Sequence, residues 1–280
     1  MKNKQKLLVV IPTTASRLNI LMQVLDSLYA NNDFDIKTII VKNGTIDDEQ
    51  FFNYDLKYPN IIKTTSEPGG HLSKAMNKGL EYLSDEDFFM YQEDDLVITT
   101  PNWIKILTDL SLNTINCGVV GTRLHGGQRK YNPRKEYTIE SLKVTNTDTF
   151  EVYWTDGITL VNADIIKKHN IKYDEFMLTV PNADLNLQMI ENGYENWRTE
   201  LEYNHYHTPG SKTGTAKWKH ADTYIDMQED NFKLWLKYKD NSNQKIKEFV
   251  DMDLAPHGQE LKKLNMDNID YKKFKYLIKG

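Results

Sequence analysis

The sequence predicts an α/β protein with a mainly parallel central sheet. Short apolar runs of strand character alternate with longer segments of helical spacing through residues 1–122, and that alternation builds βαβ units. Turn residues punctuate the joins, Asn43-Gly44 among them. The third observation is where the acids fall. Phe88-Phe89-Met90-Tyr91-Gln92 reads as a buried strand and runs straight into Glu93-Asp94-Asp95. Ligands of open α/β sheets bind at the carboxyl ends of the strands, and these three carboxylates lie at such an end.

Taken in order, residues 7–11 read as the first strand. Residues 20–30 carry Leu21, Val24, Leu25 and Leu28 on one helical face. A second strand is expected over 36–41 and a short third over 60–64. Residues 73–83 form a helix with Ala75, Met76, Leu80 and Leu83 inward. The fourth strand covers 87–92, a helix follows over 102–112 with Pro101 near its start, and a fifth strand spans 117–121. The pattern weakens over 123–148. Strands then read at 149–154 and 157–161, helices at 163–168 and 185–192, with Gly193 closing the latter as a C-cap. Residues 200–207 look like a strand, 208–219 like a small-residue, basic loop, and 221–239 like an aromatic-rich helix. The polar stretch 240–244 is the natural boundary. The organisation expected is therefore one domain over 1–240, with halves 1–122 and 123–240, followed by a small helical tail over 241–280.

At 280 residues, with 39% hydrophobic and 27% charged residues, the chain has an ordinary globular composition. The longest apolar run, residues 7–11, is far too short to span a bilayer. No signal-like stretch follows the basic start, so a cytoplasmic protein is expected. The single cysteine, Cys117, excludes an internal disulfide and sits in an apolar stretch, where a core thiol is expected rather than a nucleophile. A net charge of −5 does not advertise nucleic-acid binding by the chain as a whole.

Three adjacent carboxylates repel one another and are costly to desolvate. A hard divalent cation such as Mg²⁺ or Mn²⁺ resolves both problems, and it commonly binds one or two carboxylates plus substrate phosphates. The bland alternative is an acidic, solvated end to a strand. The triplet therefore points to a metal–diphosphate site.

Several segments in order resemble the inverting GT-A glycosyltransferases of family 2. Val9-Val10-Ile11-Pro12-Thr13 with Arg17-Leu18 resembles that family's first strand and nucleotide loop. Val41-Lys42-Asn43-Gly44-Thr45 resembles its second-strand signature. Gly70 through Ala75, Asn77 and Gly79 resembles its glycine–alanine–asparagine–glycine helix, with one extra residue of spacing. Glu93-Asp94-Asp95 stands where the family has its acidic metal triplet. Tyr173-Asp174-Glu175-Phe176 resembles the acceptor-side segment, and Asn182-Ala183-Asp184-Leu185 the helix bearing the catalytic base. His207-Thr208-Pro209-Gly210-Ser211 resembles the late metal-binding histidine and its loop, and Asn231-Phe232 with Trp235 the closing aromatic helix.

The resemblance implies a GT-A fold, a Mn²⁺ or Mg²⁺ cofactor, and transfer of a sugar from a nucleoside diphosphate to an acceptor hydroxyl with inversion. It implies metal ligation by Asp95 and His207, with Glu93 contributing and His205 as the fallback histidine. It places Pro12, Thr13, Arg17, Asn43, Gly70, Asn77, Glu93 and Asp94 around the nucleotide. Two residues depart from the pattern. Lys42 stands where the family often has an aspartate against the nucleobase, and a lysine accepts no hydrogen bond, which sets uridine recognition in question. Asn182 stands where the family has its base, and an asparagine takes no proton at neutral pH. Asp184 is the first substitute, Asp156 the next, with Asp174 and Glu175 upstream. Helix capping is an equally good use of Asp184.

Among the aromatics Tyr153, Trp154, Tyr194 and Trp197, Trp154 is the best candidate to stack on an acceptor sugar. The segment 123–135 carries Arg123, Arg129, Lys130, Arg134 and Lys135 and no acid. It is either a solvated or donor-facing loop or a seat for a polyanionic acceptor, such as a phosphate-bearing cell-wall polymer or modified DNA; a nucleic acid is the less favoured form. Two rivals remain: an inactive nucleotide-sugar-binding module on the same fold, and a nucleotidyltransferase. The latter usually shows a glycine-rich basic phosphate loop after the first strand, and residues 12–18 are not one.

Overall fold

A computed structural model of the chain describes residues 4–13, 17–31, 33–43, 48–66, 72–122, 149–175, 177, 181–206 and 221–254. Its strands are β1 (Gln5–Thr13), β2 (Phe34–Lys42), β3 (Ile61–Thr65), β4 (Phe88–Gln92), β5 (Leu96–Ile98), β6 (Cys117–Thr122), β7 (Thr149–Val152), β8 (Asp156–Asn162), β9 (Glu195–Thr199) and β10 (Tyr203–His205). Its helices are α1 (Leu18–Tyr29), α2 (Asp48–Asn53), α3 (Leu72–Leu80), α4 (Trp103–Asn113), α5 (Ala163–His169), α6 (Pro181–Glu191), α7 (Ala221–Tyr238) and α8 (Gln244–Phe249), with a π-helical turn over Val250–Leu254.

Eight strands form one sheet in the order β3-β2-β1-β4-β8-β6-β9-β7. The strands β1, β2, β3, β4, β6 and β9 all point one way, while β8 and β7 run against them. The sheet is thus mixed and mainly parallel. Because side chains alternate across a strand, β1 feeds two cores. Leu7, Val9 and Ile11 pack with α1 and α4 on one face. Leu8 and Val10 pack with α3, α5 and α6 on the other. A third apolar cluster joins Leu187 and Ile190 of α6 to Leu234 and Tyr238 of α7 and to Ile246, Phe249 and Leu254. The described part of the C-terminal tail therefore shares a core with the helices that flank the sheet.

The expected elements shift at their ends. The helix expected from 185 begins at Pro181, a favoured first helical position. The helix expected from 102 begins at Trp103, because Asn102 is left-handed at φ 54°. Gly193, at φ 86°, follows α6 as anticipated for a C-cap. The strand expected over 200–207 is only β10, paired antiparallel with β5 to make a two-stranded ribbon outside the main sheet. The sequence reading did not anticipate β9, β5 or α2.

Candidate functional site

The carboxyl ends of β1 and β4 lie side by side, since Val10 pairs with Tyr91 in parallel register. That register carries Thr13 and the residues after Gln92 to the same edge. Thr13 Oγ1 donates to Asp94 Oδ2 at 2.7 Å, and Arg17, the residue before α1, donates from Nη1 to Asp94 Oδ1 at 2.7 Å. The same nitrogen lies 3.0 Å from Asp95 Oδ2. Asp94 and Asp95 are both buried. Burial pushes the Asp94 carboxyl above its ordinary value, against the pull of Arg17 and Thr13. Burial lowers the Arg17 pKa, but Asp94 and Asp95 outweigh it and raise the guanidinium above its ordinary value.

The β5–β10 ribbon completes the site. Pairing of His205 with Leu96, and the hydrogen bond from the Tyr206 N–H to the Asp95 carbonyl at 2.8 Å, bring β10 against the acidic turn. His205 Nε2 then lies 3.4 Å from Asp95 Oδ1 and 3.7 Å from Glu93 Oε2. One ligand atom from each of Glu93, Asp95 and His205 falls within 4.8 Å of the others. Two carboxylates and an imidazole suit a Mn²⁺- or Mg²⁺-class ion that keeps further positions for phosphate oxygens. The donor set present thus fits the implied metal. It contains His205, the fallback histidine. His207 and Gly70 lie outside the described residues.

β8 runs opposite to β4 and so brings its first residue, Asp156, to this edge. The Glu93 N–H donates to the carbonyl of Gly157 at 3.2 Å, and Gly157 takes a left-handed φ of 72°. The backbone of Asp156 pairs with Thr122 at the end of β6. At the end of β2, the Asn43 N–H donates to the Thr13 carbonyl at 2.8 Å. Asn43 Oδ1 is buried without a hydrogen-bond partner among the described residues. Lys42 stands beside it, and its carbonyl accepts from Ser66 Oγ at 3.2 Å.

Two expected site residues are engaged elsewhere. Asn77 uses its whole amide on the 173–175 segment: Oδ1 accepts from the Tyr173 N–H at 2.9 Å, and Nδ2 donates to the Tyr173 carbonyl at 2.8 Å and to Glu175 Oε1 at 3.1 Å. Asp184 is fully buried. Its Oδ1 accepts from Lys237 Nζ at 2.7 Å and Tyr238 OH at 2.9 Å, and its Oδ2 accepts from Gln188 Nε2 at 2.7 Å. Lys237 also reaches Asp174 Oδ2 at 3.3 Å. Sequence reasoning missed Lys237 and Tyr238, since a lysine near the end of an aromatic helix carries no signal of a partner 53 residues away. Asn182 is buried at the start of α6, with its Oδ1 lacking a partner among the described residues.

The family model described as "Glycosyl transferase family 2" matches residues 8–168, more than half of the chain and all of the acidic turn. The chain belongs to glycosyl transferase family 2. Its fold is the GT-A fold, shared with solved structures of S. aureus TarS. TarS 1-349 in complex with UDP aligns at a TM-score of 0.58 and 16% identity, over 94% of this chain and 74% of that one. The complex of the same fragment with UDP-GlcNAc aligns at 0.58 and 15%, over 96% and 78%. The longer TarS structure aligns at 0.56 and 17%, over 88% of this chain, and this family 2 chain spans 42% of its length. No curated protein matches the sequence. Among the described residues no helix is long and apolar enough to cross a membrane.

Proposed function

We propose that this family 2 chain is a divalent-metal-dependent glycosyltransferase that moves a sugar from a nucleoside diphosphate to an acceptor hydroxyl with inversion. The observation that carries the reading is the convergence of Glu93, Asp95 and His205 beside Thr13, Arg17 and Asp94 at the carboxyl edge of β1 and β4. When bound, the metal supplies Lewis-acid neutralisation of the leaving diphosphate. Arg17 adds a guanidinium, whose Nε is buried without a hydrogen-bond partner among the described residues and so retains a donor for a phosphate oxygen.

Uridine is the nucleoside this reading favours. TarS structures hold UDP and UDP-GlcNAc, and the unpartnered Oδ1 of Asn43 can accept from the ring N–H of uracil, the role Lys42 cannot fill. For the general base, Asp156 is the better of the two substitutes. Asp184 has both oxygens engaged and no exposed surface, so an acceptor hydroxyl has no route to it. Asp156 opens β8 at the edge that holds the acidic turn. The polyanionic-acceptor reading rests on 123–135, outside the described residues, and its test is a steep fall of acceptor affinity with salt.

Purified protein with Mn²⁺ and each uridine-diphosphate sugar, assayed for release of uridine diphosphate, tests the proposal. Turnover should vanish with excess chelator and return with Mn²⁺. Asp156→Asn should lower kcat by about 10²- to 10⁴-fold, with donor binding retained, while Asp184→Asn should act first on stability. Full activity in chelator removes the metal from the mechanism. Donor binding without any turnover would favour the inactive binding module.

A further inference from the structure

The acidic turn already holds a cation, and that cation belongs to the protein. A single nitrogen, Nη1 of Arg17, lies 2.7 Å from Asp94 and 3.0 Å from Asp95, with the guanidinium side chain 18% exposed and both carboxylates 4%. The two adjacent acids are thereby given different tasks. Asp94 has one oxygen on Arg17 and the other on Thr13. Asp95 turns Oδ2 to Arg17 and Oδ1 toward His205. A divalent ion among Glu93, Asp95 and His205 therefore faces a positive guanidinium across one carboxylate, in a pocket too poorly exposed for water to screen the repulsion well.

We infer that Arg17 is a resident counter-ion that suppresses metal binding until the diphosphate arrives, and so makes metal and donor bind with positive coupling. The inference rests on the metal reading proposed above and adds its order of assembly. Two observations and the charge of a diphosphate meet in it. Arg17 offsets part of the negative charge of the turn, bridging the two adjacent buried aspartates. It does so with one nitrogen, and its buried Nε has no partner among the described residues, so it retains a donor for an incoming phosphate oxygen. A diphosphate carries the charge that cancels the guanidinium's repulsion of the metal. Because coupling is reciprocal, the metal must strengthen nucleotide binding by the same factor. Thr13 keeps hold of Asp94 throughout, so Arg17 can tilt toward phosphate without releasing that carboxylate into the metal site.

The test is Mn²⁺ binding by the full chain, read by electron paramagnetic resonance of free Mn²⁺, with and without uridine diphosphate. Arg17→Met alone would leave the buried Asp94 carboxylate without its guanidinium, a second change beside the loss of positive charge near the metal. The decisive comparison is therefore Asp94→Asn against the double variant Arg17→Met/Asp94→Asn, each checked for folding by circular dichroism. Removing the guanidinium should tighten Mn²⁺ alone by about tenfold or more, within the usual range of allosteric couplings. It should also shrink the enhancement that uridine diphosphate gives. Arg17→Lys, which retains the charge, should stay close to wild type for Mn²⁺ alone. If the double variant binds Mn²⁺ no tighter than Asp94→Asn, the inference fails while the metal reading stands. If no form of the protein binds Mn²⁺ even with uridine diphosphate present, both fail together.

Discussion

Lys237 Nζ and Asp184 Oδ1 lie 2.7 Å apart across 53 residues of sequence, and this ion pair fastens α7 to α6. The pair is buried on the carboxylate side and supported by Tyr238 and Gln188. Removing one partner of a buried pair strands the other charge, at a cost of about 3–5 kcal/mol. Lys237→Met should therefore lower the free energy of urea unfolding by about that much. A loss below about 1 kcal/mol, the range of exposed pairs, would mean that water reaches Asp184 and would restore it as a base candidate.

The same network sets an alkaline limit. Burial lowers the Lys237 pKa, but Asp184 and Asp174 outweigh it and raise the ammonium above its ordinary value. Burial, then the Asp184 charge, raises the Tyr238 phenol well above its own. In both cases the folded chain holds a proton more tightly than the unfolded chain. Their contribution is complete below about pH 10, where both groups are protonated in either state, and is lost as pH rises through the folded values. The urea midpoint should fall between pH 9 and pH 11, and Tyr238→Phe should reduce the fall. An equal fall in the variant would place its origin in other groups.

How the fold emerges from the sequence is clearest in β1, β2 and β4. Each is an apolar run whose alternate residues feed the two cores, so pattern and structure coincide. β9 escaped because Asn196 and Arg198 interrupt its apolar pattern. Asn196 is a partner inside the protein: its amide takes the Val119 N–H and gives to the carbonyls of Tyr153 and Asn186. β5 escaped because three residues show no period. The histidine of the candidate metal set turns on the register of β5 with β10, which spacing along the chain does not encode. The carboxylates of the acidic turn were legible because their desolvation cost is a property of the sequence itself. Which of them faces Arg17 and which faces His205 is a property of the fold.

Cys117 should behave as a cryptic thiol. It is buried in β6, and burial pushes its pKa up to about 12, against a hydrogen bond from Ser111. Thiolate is the reactive form, so a disulfide reagent at pH 8 should modify the native protein only at the rate of unfolding and the urea-unfolded chain at once. Rapid labelling of native protein would mean that β6 opens locally.

His205→Ala tests the metal set independently of any acceptor. It removes one of three converging ligand atoms. Mn²⁺ affinity in the presence of uridine diphosphate should fall by at least about tenfold, the lower end of what is lost even when groups beyond the ligands are mutated. The partner experiment is His207→Ala. Retained affinity in His205→Ala, with loss in His207→Ala, would move the ligand two residues on.

Gly79 is where packing should override helix propensity. It lies within α3, and replacing an exposed helical glycine by alanine usually gains about 1 kcal/mol. Here a Cβ would meet Val10 Cγ1 at 2.3 Å and Cγ2 at 2.4 Å. Val10 is fully buried in the middle of β1, so neither it nor α3 can yield without moving the sheet or the helix that packs on it. Overpacking of this kind costs about 1–3 kcal/mol, and Gly79→Ala should destabilise despite the better helix former. The shared contact makes the effect conditional. Val10→Ala removes both clashing methyl groups and leaves only the Cβ of residue 10, at 2.9 Å, against the new methyl. Gly79→Ala should then cost less in the Val10→Ala background. A double-mutant cycle on urea unfolding should show a favourable coupling of about 1 kcal/mol or more, as for residues in direct contact. Additive effects would mean that α3 shifts outward to admit the methyl. The glycine would then be explained by something other than the approach of α3 to β1.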